Sequence, residues 1–178
     1  MEDQQRLRGT MDKESPYSAE SQYDSNSQLV KLENEDLMPI IPTPFQVKKG
    51  EGDFIIEETI TIGFEKGLSN EAEYLMDKLS ELTGEKFSME EVSGIHAGIA
   101  LKLEDIQVNG KSEEAYQLLI DQTGVTISGS DPAGVFYGLQ SLLALLGNEA
   151  YLNQKLPLTL PYISIADAPR FGFRSLHM

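Results

Sequence analysis

Residues Glu114–Leu146 read EAYQLLIDQTGVTISGSDPAGVFYGLQSLLALL, and this stretch decides the fold. Two apolar runs, Tyr116–Ile120 and Val125–Ile127, flank Asp121-Gln122-Thr123-Gly124, a turn-forming set. After Ser128-Gly129-Ser130, Asp131 stands at a helix N-cap position. Pro132 follows at the first helical position, where a missing N–H costs nothing. An apolar segment carrying Val135, Phe136, Leu139, Leu142, Leu143, Leu145 and Leu146 then runs to Gly147. The stretch is a β-hairpin feeding a buried helix. Tyr137, Gln140 and Ser141 are the main polar breaks in that helix, so it is expected to be covered on more than one side.

Upstream, Gly98–Leu103 alternates Ile99, Leu101 and Leu103 with Ala100 and Lys102, a strand, and Asn109-Gly110 marks a turn. Ala72, Leu75, Met76, Leu79 and Leu82 recur at helical spacing. Ser69 or Asn70 is expected to cap that helix and Gly84 to end it. Phe54–Ile56 and Thr59–Phe64 read as strands, with Lys48–Gly52 as a turn before them. Leu37–Phe45 contains Pro39, Pro42 and Pro44, which force an extended lead-in. Phe87–Gly98 has no periodicity that places it. Downstream, Tyr162–Ile165 is extended, Asp167-Ala168-Pro169 breaks it, and Arg170–Met178 reads as the beginning of another strand.

Residues 1–36 are polar, and acidic side chains outnumber basic ones there by nine to four. Such a segment buries too little apolar area to offset chain entropy, and is expected to be a disordered acidic tail. The whole chain has 178 residues and a net charge of −15. That charge argues against nucleic acid or an anionic membrane surface as partner. The absence of cysteine excludes disulfides, thiolate metal sites and cysteine nucleophiles. No signal peptide and no run long enough to span a bilayer is visible, so the chain is read as cytoplasmic or as lacking its export signal.

Two blocks together resemble a known family. One is the Glu114–Leu146 stretch, with Gly134, Phe136, Tyr137, Gly138, Gln140, Leu142 and Leu143 in order. The other is Ile165-Ala166-Asp167-Ala168-Pro169-Arg170-Phe171-Gly172-Phe173-Arg174-Ser175. With the Pro-x-Pro lead-in at Ile40–Phe45, they resemble the N-terminal portion of a family 20 glycoside hydrolase, the β-N-acetylhexosaminidases.

The resemblance implies an α+β accessory domain over 37–167, a mostly antiparallel sheet with two helices packed on one face. It implies that 168–178 begin a (β/α)₈ catalytic barrel whose remainder is absent here. The partners implied are that barrel, on the same polypeptide, and glycans bearing N-acetylhexosamine. The second apolar side of the long helix would then face the barrel. Gly134 and Gly138 would permit close approach to the sheet or to the barrel. The family hydrolyses terminal N-acetylhexosamine residues by a substrate-assisted, retaining mechanism in which a glutamate is the general acid and a neighbouring aspartate orients the acetamido group. No acidic pair here matches. Glu57-Glu58, Glu90-Glu91 and Glu113-Glu114 read as solvated charge, so no catalytic residue is expected and the chain alone is expected to be inactive.

Arg174 matches the family arginine that grips sugar hydroxyls, a role suited to a planar fork of donors, and one that needs the complete barrel. His96 and His177 have no companions that would make a metal site. No cofactor or metal is expected. Asp131 reads as a cap, and Tyr116, Phe136 and Tyr137 as core or interface aromatics. Family members are usually periplasmic, secreted or lysosomal. The alternative reading is a standalone carbohydrate-associated or interaction module of the same fold, or the accessory domain of another glycosidase family.

Overall fold

The structure is a computed structural model, and it describes residues 19–27, 38–92 and 98–171. In chain order the elements are α1 (Ala19–Ser27), β1 (Gln46–Ile56), β2 (Thr61–Phe64), α2 (Ser69–Thr83), β3 (Ser88–Glu91), β4 (Gly98–Leu103), β5 (Tyr116–Asp121), β6 (Gly124–Gly129), α3 (Pro132–Leu145), α4 (Gly147–Asn153) and β7 (Leu158–Asp167). Helix α1 belongs to a separate unit, residues 1–37. It lies inside the segment expected to be disordered, and the rest of 1–36 is outside the described residues. Its nine residues are almost wholly polar, too few for a helix that holds itself together in water. The other elements form one unit from Met38 onward.

The hairpin forms where its sequence places it, with Asp121 opposite Gly124. Asp121 Oδ1 accepts from the Thr123 backbone N–H at 2.7 Å, which closes the turn. Strands β5 and β6 lie at the middle of a seven-stranded sheet of order β1-β7-β5-β6-β4-β2-β3. The sheet is mixed, which corrects the expectation of mostly antiparallel pairing. The β1-β7-β5-β6 half is antiparallel and the β6-β4-β2-β3 half is parallel. Parallel neighbours need a crossover between them. Helix α2 supplies it from β2 to β3, and β5 is the link that lets β6 return parallel to β4.

One face of the sheet carries the core. Leu118, Ile120, Ile127, Ile99, Leu101 and Ile62 are buried there with Leu75 and Leu79 of α2 and Val135, Leu139 and Leu142 of α3. Each such side chain stabilises the fold by about 1.5–3 kcal/mol through burial. On the other face Gln117, Leu119 and Ser164 are exposed. The two long helices therefore do pack on one face, against each other through Tyr74 and Phe136, whose rings are 5.2 Å apart.

Local chemistry explains the helix ends. Asp131 caps α3, with Oδ1 accepting from Gly134 N at 2.8 Å. Its Oδ2 accepts from Glu114 N at 2.9 Å, so one carboxylate ties the start of the hairpin to the start of the helix. Gly84 ends α2 in the left-handed conformation, φ 75°, with its N–H on the Ser80 carbonyl. The N-cap of α2 is neither Ser69 nor Asn70. Leu68 occupies it without a side-chain cap bond, fully buried, so packing fixes this end in place of a cap. Gly147 does stop α3, but α4 begins at once.

Lys48–Gly52 is not a turn. It is the bulged middle of β1, where the register with β7 slips between Lys49↔Ile163 and Asp53↔Pro161. Tyr162 lies across the bulge: a Cβ at Gly50 would come within 2.9 Å of the Tyr162 Cβ, and one at Gly52 within 2.6 Å of its ring. Two glycines and a large ring at one bulge are a packing device rather than a chain reversal. On the parallel side, Gly98 pairs with Gly124, and a Cβ on Gly124 would sit 2.3 Å from the Gly98 carbonyl oxygen.

Candidate functional site

Helix α3 is apolar nearly all round, and the structure accounts for each side. The sheet takes Val135, Leu139 and Leu142. Helix α2 takes the Phe136 side, with Gln140 Nε2 donating to Tyr74 OH at 3.1 Å. Helix α4 reaches back through Tyr151 OH, which donates to the Leu143 carbonyl at 3.4 Å. The remaining side, Tyr137, Gln140, Ser141 and Ala144, opens onto a cleft of ≈ 670 Å³. Its opposite walls are the lead-in segment Pro39–Pro42 and the lead-out Asp167–Phe171, with Glu114 and Tyr116 completing the lining. Ile41 and Phe171 are strongly exposed at its rim. The cleft is an apolar trough between a helix and two segments without regular structure.

Its chemistry is that of a packing surface. The buried Tyr116 hydroxyl pairs with Ser141 Oγ at 2.6 Å. Burial pushes the Tyr116 phenol up to about 12 from its ordinary 10.0. This has a definite sign. Below about pH 10 native and unfolded chains both keep the proton, and the group leaves stability unchanged. Between about pH 10 and 12 the unfolded chain releases the proton and the native one does not, so stability falls as pH rises, by about 2–3 kcal/mol across the window. Tyr116→Phe is expected to flatten that alkaline limb while losing about 1 kcal/mol at neutral pH. Urea melts at about pH 9 and about pH 11 read both effects; equal pH slopes in the two proteins would show that the phenol does not titrate from a buried position.

Two carboxylates among the described residues are shifted, both downward. Hydrogen bonding to Thr123 holds Asp121 below its ordinary range, and the Lys78 ammonium does the same to Glu81. A general acid needs the opposite shift. Glu57, Glu58, Glu90, Glu91 and Glu113 are exposed, on a turn, the sheet's edge strand and a loop, whereas Glu114, expected to be solvated with them, is half-buried and lines the cleft. No cluster of His, Asp or Glu that could hold a metal ion occurs among the described residues. Asp131 is a cap by geometry. Tyr116 is core, and Phe136 and Tyr137 meet each other at 6.2 Å between ring centres. Gly134 and Gly138 serve the helix–sheet contact: Cβ atoms there would strike the Ala115 carbonyl oxygen at 2.4 Å and Ile127 Cγ2 at 2.5 Å.

Arg174, His177 and His96 lie outside the described residues. Sequence reasoning missed the Tyr116–Ser141 pair and the cleft. Ser141 looked like an interruption of an apolar helix, and its twenty-five-residue distance from Tyr116 hid the pairing. No helix among the described residues is long and apolar enough to cross a membrane.

Comparison with known proteins agrees with this picture. Residues 37–168 match the family described as glycosyl hydrolase family 20, domain 2. A β-hexosaminidase of Porphyromonas gingivalis (strain ATCC BAA-308 / W83) is 37% identical over 146 residues, which are 76% of this chain and 18% of that protein. The GH20 β-N-acetylhexosaminidase of Streptomyces coelicolor A3(2) superposes with a TM-score of 0.62 at 29% identity, over 77% of this chain and 28% of that one. The N-acetyl-β-hexosaminidase of Streptomyces plicatus gives 0.61 at 30% identity, over 77% and 27%. The chain therefore spans less than a third of the length of each of these relatives. On the match over most of its length, the chain belongs to glycosyl hydrolase family 20, of which it carries domain 2.

Proposed function

We propose that this domain is the non-catalytic support of a β-N-acetylhexosaminidase, and that it seats a catalytic (β/α)₈ barrel carried by the same polypeptide. The observation that carries the reading is the domain 2 match over residues 37–168. Its relatives named hexosaminidases are several times longer. In this reading 37–167 are the accessory domain and 168–178 open the barrel. The open side of α3, with Ile41 and Phe171 at the cleft rim, supplies apolar surface for the seat, since contiguous exposed apolar area marks contact surfaces.

The reaction served is removal of terminal N-acetylhexosamine, with the substrate's acetamido oxygen as nucleophile and a barrel glutamate as acid. Arg174 is this chain's contribution to the sugar site. Its sequence context, Phe173-Arg174-Ser175, supports that role, and five fixed N–H donors suit adjacent hydroxyls.

The chain alone is expected to give no turnover of 4-nitrophenyl N-acetyl-β-D-glucosaminide. Reading the gene beyond the Met178 codon is expected to show a His-x-Gly-Gly-Asp-Glu-like run within a barrel's length, about 250 residues. Turnover abolished by a substitution within residues 38–171 would overturn the non-catalytic assignment. An open reading frame without such a run would overturn the barrel and favour a free-standing module.

A further inference from the structure

The lead-in and lead-out segments are joined to each other by three contacts, two of them made by Arg170, and Lys111 holds the lead-out besides. Lys111 follows the tight turn at Asn109 and Gly110, both in the left-handed region at φ 52° and 75°. Its backbone bridges to Val108 in both directions, at 2.8 and 3.0 Å. From that braced position Lys111 Nζ donates to the Pro169 carbonyl at 2.6 Å and also to the Arg170 carbonyl. Arg170 turns the other way. Its guanidinium lies over the Phe45 ring, 5.0 Å from the centroid, and donates to the Thr43 carbonyl at 2.5 Å. Phe45 N in turn donates to Asp167 Oδ1 at 3.2 Å. Beneath these contacts sits a second small core of Ile106, Val108, Ala115, Ala166 and Ala168, on which Phe45 packs, distinct from the main one.

From these contacts we infer that Lys111 and Arg170 form a clasp that fixes the direction in which the chain leaves the domain after Pro169. Lys111 is directed at backbone carbonyls of the lead-out and Arg170 at one of the lead-in, in stretches that have no strand partner there, and a charged donor makes a stronger bond than a neutral one. A guanidinium over an aromatic face adds a contact that lysine does not reproduce. The polar work of the clasp thus falls on main-chain atoms, which every sequence at those positions would offer, and the specificity lies in Lys111, Arg170 and Phe45. Pro169 stiffens the same point by fixing its own φ. The inference deepens the proposed function, because a barrel opened by residues 168–178 takes its bearing from this segment. The clasp itself is a property of this chain alone.

Limited trypsin digestion of the full chain tests it. The bond after Arg170 is compared with the bond after Lys155, which is exposed in the loop between α4 and β7. Arg170 is exposed, but the clasp engages its carbonyl with Lys111 and its guanidinium with Phe45 and Thr43, which keeps both from a protease's site, so Lys111→Met and Phe45→Leu are each expected to raise the rate after Arg170 at least tenfold and leave the rate after Lys155 unchanged. Lys111→Arg is expected to restore the slow rate. Unchanged cleavage after Arg170 in both variants would overturn the clasp, as would acceleration at both bonds in parallel, which signals loss of the whole fold. The outcome does not depend on a barrel: a selective effect without a downstream barrel run would leave the clasp standing and remove its proposed use.

Discussion

Gly134→Ala is expected to destabilise the domain by about 3 kcal/mol, although alanine is the better helix former by about 1 kcal/mol. The two effects have opposite signs, so the measurement decides between them. Gly134 is the third residue of α3, where ordinary propensity favours replacement. Its missing Cβ faces the Ala115 carbonyl oxygen at 2.4 Å, with two further backbone carbons at 3.1 and 3.2 Å. Those atoms cannot turn aside as a side chain can. The Ala115 oxygen accepts from Ser130 N at 2.9 Å, and Glu114 N is tied to Asp131 at 2.9 Å. Relief requires that the helix lift from the hairpin, which breaks both ties and loosens the core beneath. In a chain of this size the midpoint of thermal unfolding should fall by about 6–12 °C. A rise in the midpoint would mean that α3 has room at this turn. Gly138→Ala meets side-chain atoms, Ile127 Cγ2 and the Tyr116 ring, and is expected to lose less.

Leu142→Ala carries a comparable penalty for the opposite reason. Leu142 is fully buried in the last turns of α3, within the core between the helices and the sheet. Removal of its isobutyl group leaves a hole in the main core, and substitutions of this kind cost about 2–5 kcal/mol depending on how far the site collapses. Leu152 is a control of the same type, strongly exposed on α4, and Leu152→Ala is expected to change stability by no more than about 0.5 kcal/mol. Chemical denaturation of both variants checks the pair. Similar losses at the two positions would mean that the apolar surface of α3 is not the core of the fold.

The parts of the fold legible in the sequence are those where a local pattern is sufficient. Tyr116–Leu146 was legible because alternation, a tight turn, an aspartate cap and a proline at the first helical position follow one another without a gap. Its neighbours were less so. The Lys48–Gly52 bulge has the composition of a turn, and the reason for its glycines, the Tyr162 ring, lies more than a hundred residues away. Ser88–Glu91 became β3 at the sheet edge with every residue exposed, so no alternation could reveal it, and its charges suit an edge that must not recruit another strand. Pairing direction was not legible beyond the hairpin, because two strands far apart in sequence look the same whether they run parallel or antiparallel. The candidate site divides the same way. Asp131 and the glycines of α3 declared their roles by position in a helix. Tyr116 with Ser141, and Lys111 with Arg170, are meetings of distant residues that no spacing rule connects.

The pairing of β1 with β7 has a consequence for how this domain can be carried by a larger protein. Gln46 lies opposite Ala166, so the start of β1 and the end of β7 stand about one strand spacing apart, about 5 Å. A unit whose ends nearly touch can be grafted into a surface loop of another protein without prising that loop open. By the same geometry a short linker could join the two ends, and new termini could be cut in an exposed loop such as the one around Lys155. The sheet would then be closed by the linker, and the β1–β7 ladder, at present the pairing of greatest sequence separation, would become a hairpin. Closure of such a distant pair is slow in a linear chain, so the permuted domain would reach the same fold by a shorter search.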